Sequence, residues 1–178
     1  MRGPLRGLLG AIGLGFVLAA HAQGADVGRF VRTWPPGPRL AALEMAAKYG
    51  SPDDVSAERL LWRHAGPFAS IAVNRSDATG YLEHAVRLDV PVEKTGDLHV
   101  FDAGIAIYHL RGEVSARGER ESDNVLALNL VYDVIIGRKT AEEARRAFAS
   151  LRAQSVLGRM PAYAKSLNFR PRSTPIAG

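Results

Sequence analysis

The sequence predicts an α+β domain: an antiparallel sheet of four to six strands, preceded by one helix and covered on one face by two C-terminal helices. Three observations predict it. The middle of the chain carries short alternating segments separated by Gly and Pro turns, the pattern of hairpin-connected strands. Residues 123–136 are apolar over most of a helical circumference, as a buried helix requires. Residues 140–143 read Thr-Ala-Glu-Glu, a capping box that opens a further helix.

The elements follow in order. Arg39 to Tyr49 predicts a helix, with Leu40, Leu43 and Ala47 on one face and Met45 and Tyr49 adding bulk. Gly50 suits its C-terminal cap, and Pro52 prevents resumption. Arg59–His64 and Phe68–Arg75 predict strands joined by the turn Ala65-Gly66-Pro67. Tyr81 to Val90 has the cleanest alternation. Leu82, His84, Val86, Leu88 and Val90 point one way, and Glu83, Arg87 and Asp89 the other. Pro91 to Asp102 supports two readings, because proline suits a first helical turn but Gly96 weakens a helix interior by ~1 kcal/mol. Ile105–Leu110 and Glu113–Gly118 predict a second hairpin around Arg111-Gly112. The buried helix spans Asp123 to Ile136, where Asn129 and Asp133 form a narrow polar stripe. Gly137 ends it, and Arg138-Lys139 complement its negative end. The capped helix runs to about Leu157, with Ala144, Phe148 and Leu151 inward.

The flanks suggest export. Arg2 and Arg6 precede an uncharged run of 14 residues, Gly7 to Ala20, shorter than the roughly 20 of a spanning helix. Ala20-His21-Ala22 then offers a small-x-small cleavage site, with Gln23 as the new N-terminus. Residues 1–22 are thus expected to be a signal peptide, 23–38 a Pro-rich linker, 39–163 one domain and 164–178 a flexible tail. The expected localisation is periplasmic or secreted, without a transmembrane anchor after cleavage. The formal net charge of +5 includes the two leader arginines, so the remainder is only modestly basic. No basic stripe interleaves with aromatics, so nucleic acid is not an expected partner. The chain has no cysteine, which excludes disulfides, thiol nucleophiles, cysteine-ligated zinc and a lipidated N-terminal cysteine.

Three segments resemble a family of exported bacterial proteins with no assigned activity. They are Lys48-Tyr49-Gly50-Ser51-Pro52-Asp53-Asp54-Val55 leading to Trp62 and Gly66-Pro67; Gly112-Glu113-Val114-Ser115-Ala116-Arg117; and Leu126–Leu130 through Gly137 to Thr140–Arg145. Together they span about residues 40–163. The resemblance implies a shared fold and export, and no activity. The helix, Tyr-Gly-x-Pro and strand-with-Trp segment is also locally similar to envelope domains of the BamE and β-lactamase-inhibitor-protein kind.

The polar residues point to binding before catalysis. His64, His84, His99 and His109 include no i, i+4 pair of the zinc-hydrolase type, so neither a metal nor a cofactor is expected. Ser115 lies in no nucleophile elbow, and no catalytic residue is assigned. Glu113, Ser115 and Arg117 share one strand face, either as a solvated face with cross-strand charge pairs or as a polar patch for a ligand. Asn129 and Asp133 belong either to a structural pair, with Arg117 the preferred partner of Asp133, or to the floor of a polar pocket. Trp62 is expected in the core, and Trp34 exposed in the linker. The expected function is a non-catalytic envelope or secreted binding module for an envelope protein, peptide or glycan. The alternative is a periplasmic hydrolase-type enzyme with a metal-free acid/base pair. Converging carboxylates or histidines in a deep pocket would favour the enzyme, and a polar open sheet face the module.

Overall fold

The computed structural model describes residues 27–76 and 80–172. The expected signal peptide and cleavage site lie outside the described residues, as does the chain beyond Arg172.

Proline starts the helix that leads into the sheet. Helix α1 spans Pro36–Tyr49, with Pro35 at its N-cap. Pro36 and Pro38 fall in the first turn, where backbone N–H groups have no intrahelical partner, so the missing donors cost nothing. The Pro-rich linker expected up to residue 38 is corrected on this point. A 3-10 turn at Val31–Thr33 packs back on α1, and Trp34 is 4% exposed, buried where an exposed linker residue was expected.

Among the described residues six strands form one antiparallel sheet. They are β1 Asp54–Ser56, β2 Arg59–Arg63, β3 Ser70–Asn74, β4 Leu82–Arg87, β5 Ile105–Tyr108 and β6 Glu113–Gly118. Their spatial order is β1-β2-β3-β4-β6-β5. β1 was not foreseen, because three residues are too few to show a period. Residues 91–104 carry the chain from β4 to the far edge, and β5 then returns beside β6. That connection holds a 3-10 turn at Val92–Lys94 and helix α2, Thr95–Phe101. Gly96 is tolerated because this helix is short and is anchored by buried Leu98 and Phe101.

Alternation sorts the two sheet faces. Leu60 and Trp62, Ile71 and Val73, Leu82 and Val86, and Val114 and Ala116 stack across β2, β3, β4 and β6 on one face. Each large side chain buried there contributes about 1.5–3 kcal/mol. Helix α1 lies over β3, and helix α3, Glu121–Ile135, lies over β6 and β4. Helix α4, Ala141–Val156, packs chiefly on α3 and α2, with Phe148 edge-on to Phe101 at 6.1 Å. The architecture is the α+β arrangement that the sequence predicts. Among the described residues no helix is long and apolar enough to cross a membrane.

The flexible tail expected from residue 164 is a second correction, as far as Arg172. Asn129 donates its amide to the carbonyls of Tyr163 (2.8 Å) and Ser166 (2.9 Å) and accepts the Asn168 N–H at 2.8 Å. Phe169 stacks on Tyr132 at 4.6 Å, and Ala164 is buried. The segment lacks a hydrophobic period, yet one buried amide fixes its backbone.

Candidate functional site

The candidate site is the sheet face opposite the core. Alternation leaves Leu61, Ala72, Glu83 and Arg117 in one row across β2, β3, β4 and β6. Arg63, Ser70, Ala85, Ser115 and Ala106 form the next row, and Arg87, Glu113 and Tyr108 the one beyond. Neither α1 nor α3 reaches this side of the sheet. A depression of about 590 Å³ lies over it, lined by five arginines (59, 63, 87, 111 and 117) against two glutamates (83 and 113).

The charges are partly paired within the face. Arg117 donates to Glu83 at 2.7 Å, directly across the β4–β6 ladder. Arg111 pairs with Glu113 at 3.2 Å and covers the Tyr108 ring at 4.0 Å. Arg63 pairs with Asp54 on the edge strand. Burial opposes the charge on Glu83. Hydrogen bonds from Arg117 and Ser115, with the positive charges of Arg117 and Arg59, nevertheless hold its carboxyl below the usual range. Among the described residues no acid forms a salt bridge with Arg59 or Arg87, so the surplus positive charge belongs to them.

Of the residues singled out in the sequence, the structure brings Glu113, Ser115 and Arg117 onto this face. Ser115 lies beneath the longer side chains, 1% exposed. Asn129 and Asp133 are elsewhere, on the side of α3 that meets the C-terminal segment. The expected Asp133–Arg117 pair is corrected: Asp133 accepts from Arg138 at 2.6 Å and from the Tyr163 hydroxyl at 2.9 Å. The reason is topological. Arg117 points to the open face, while α3 packs on the covered one. Arg59, Arg63, Arg87 and Glu83 were not singled out, although their alternation with Leu60, Trp62, Leu82 and Val86 was legible. Only the register adds them into one surface.

A second polar cluster sits inside the core. His84 occupies the covered face of β4, fully buried, 4.5 Å from the Phe68 ring. Its Nδ1 lies 3.0 Å from the Asn124 amide nitrogen, which also donates to the Leu82 carbonyl. Nδ1 is therefore the acceptor, and Nε2 carries the proton. Nε2 has no hydrogen-bond partner and stands 3.9 Å from Glu121 Oε1. Glu121 in turn accepts from Tyr49 at 2.5 Å and Lys48 at 2.9 Å. Burial pushes the His84 pKa down to about 4, outweighing the nearby carboxylate of Glu121. Burial, with the Glu121 carboxylate, raises that of Tyr49. His84 has no surface to offer a substrate.

Among the described residues no group of three or more His, Cys, Asp or Glu side chains could hold a metal ion. No protein-family model, curated protein or solved structure matches the chain.

Proposed function

We propose that this protein is an exported, non-catalytic binding module whose open sheet face holds an acidic glycan. The observation that carries the reading is the depression on that face, with five arginines against two glutamates. The surplus positive charge selects an anionic ligand. The backbone beneath is spent in the ladders of β2, β3, β4 and β6. It offers no N–H or C=O to a peptide main chain, which would lie there with its polar groups unmet. A glycan carries its hydroxyls and carboxylates on its periphery. Guanidinium groups can donate to its acidic groups, and Glu83 and Glu113 can accept from its hydroxyls.

Affinity electrophoresis through gels containing polygalacturonate tests this. The expected result is retardation that weakens with added salt, disappears in dextran gels and falls about tenfold in apparent affinity in an Arg59→Gln, Arg63→Gln double variant. Equal retardation by dextran, or none by polygalacturonate at low salt, overturns it. Stronger binding of polyglutamate than of polygalacturonate would assign the face to an acidic peptide.

A further inference from the structure

We propose that a small pocket at one end of the open face is a subsite for a single oxyanion, a carboxylate, sulfate or phosphate group carried by the ligand. The inference rests on the binding-module reading and says what one part of the surplus charge does. The pocket has a volume of about 240 Å³ and lies between the β2–β3 turn, the end of β4 and the C-terminal segment. His64, Phe68, Arg87 and Arg172 supply its side chains. It shares His64, Ala69 and Arg87 with the larger depression, so a ligand on the face can place a substituent in it. Among the described residues no carboxylate lines it.

Arg87 carries the argument. The register sets it opposite Glu113, the natural partner for its charge. Glu113 is instead engaged by Arg111 at 3.2 Å. The Arg87 Nε is buried and has no hydrogen-bond partner. A buried N–H of this kind calls for an acceptor, and a guanidinium can only donate. Arg172 adds a second guanidinium. Its backbone N–H donates to the Arg87 carbonyl at 3.0 Å, and its side chain is steadied by Asp89 at 2.5 Å, a carboxylate that does not line the pocket. Gly112 is needed at this corner. It sits at φ 58°, and a Cβ there would run into Arg172 and Asp89. His64 holds φ 53°, a costly backbone state for a non-glycine residue, at the edge of the same pocket. Two forked donors beside a space that can take one substituent match two oxygens of an anion, held bidentately.

The test follows the Nε–Hε resonance of Arg87 by NMR while the folded protein is titrated with glucuronate, sulfate and inorganic phosphate, with glucose as the neutral control. The expected result is a saturable shift with at least one anion and none with glucose, and the tightest anion names the chemistry. Arg87→Gln should abolish small-anion binding, followed calorimetrically. Arg87→Lys, which keeps the charge but loses the fork, should weaken it about tenfold. If Arg87→Gln fails to fold, Arg172→Gln takes its place with the same expected weakening. No saturable shift with any anion, or undiminished binding in the folded variants, overturns the subsite. The two readings fail separately. Polygalacturonate retardation with no small-anion binding removes the subsite and keeps the module. Small-anion binding without polygalacturonate retardation removes the acidic-glycan reading and keeps an oxyanion site.

Discussion

Asp133 keeps a carboxylate in a place without water because two donors reach it, the Arg138 guanidinium and the Tyr163 hydroxyl. The pair ties the end of α3 to the segment after α4. Asp133→Asn should cost about 1–3 kcal/mol in urea unfolding, and Tyr163→Phe about 0.5–1.5 kcal/mol. Their double variant should lose less than the sum, since both remove one contact. Asp133 and Arg117 stand on opposite sides of the sheet, so that double-mutant cycle should be additive within ~0.5 kcal/mol. His84 makes a different kind of prediction. The unfolded chain takes up this proton near pH 6.5, the folded chain near 4. Between those values the unfolded state binds more protons, so stability falls as pH is lowered through the window and is flat above it. Comparing urea melts near pH 7 and near pH 5 should show a loss of about 2 kcal/mol from this residue. His84→Gln, though less stable throughout, should lose that slope. Glu83, whose carboxyl is held below the usual range, loses its own contribution only as pH falls into the carboxylate range, and the His84→Gln comparison separates the two effects.

Helices α3 and α4 are stabilised by different means. Leu128 is wholly enclosed, whereas α4 depends at its start on the reciprocal bonds of Thr140 and Glu143. Leu128→Ala should cost ~2–5 kcal/mol by leaving a cavity, and Thr140→Ala ~0.5–2 kcal/mol by losing a cap. Urea melts showing the reverse order would contradict these roles. Such elements were legible from sequence because their signals are local: a period of 3.6, a period of two in β4, a capping box. The missed elements have non-local causes. β1 exists because β2 pairs with it, and residues 164–172 are ordered because Asn129 reaches them. Pro36 and Pro38 misled in another way, since a residue that breaks a helix interior is well placed in its first turn.

At the scale of the whole molecule, the sequence showed that Glu113, Ser115 and Arg117 share a face, because one strand suffices for that. It did not show that Arg59, Arg63 and Arg87 join them, because three more strands must first be set in register. Asn129 and Asp133 carried the same polar signal and proved to be fastenings for the chain, since a buried polar side chain looks alike in sequence whether it meets backbone or ligand. The edges of the sheet carry a consequence of their own. β1 is three residues long, wholly exposed and preceded by Pro52 and Asp53, and β5 is four residues long and runs into a 3-10 turn. Strands so short, one of them fenced by a proline and charges, make poor templates for another copy's backbone. On the acidic-glycan reading, neighbouring molecules crowded along a shared polymer would therefore sit side by side without zipping into a continuous sheet, each free to leave by itself.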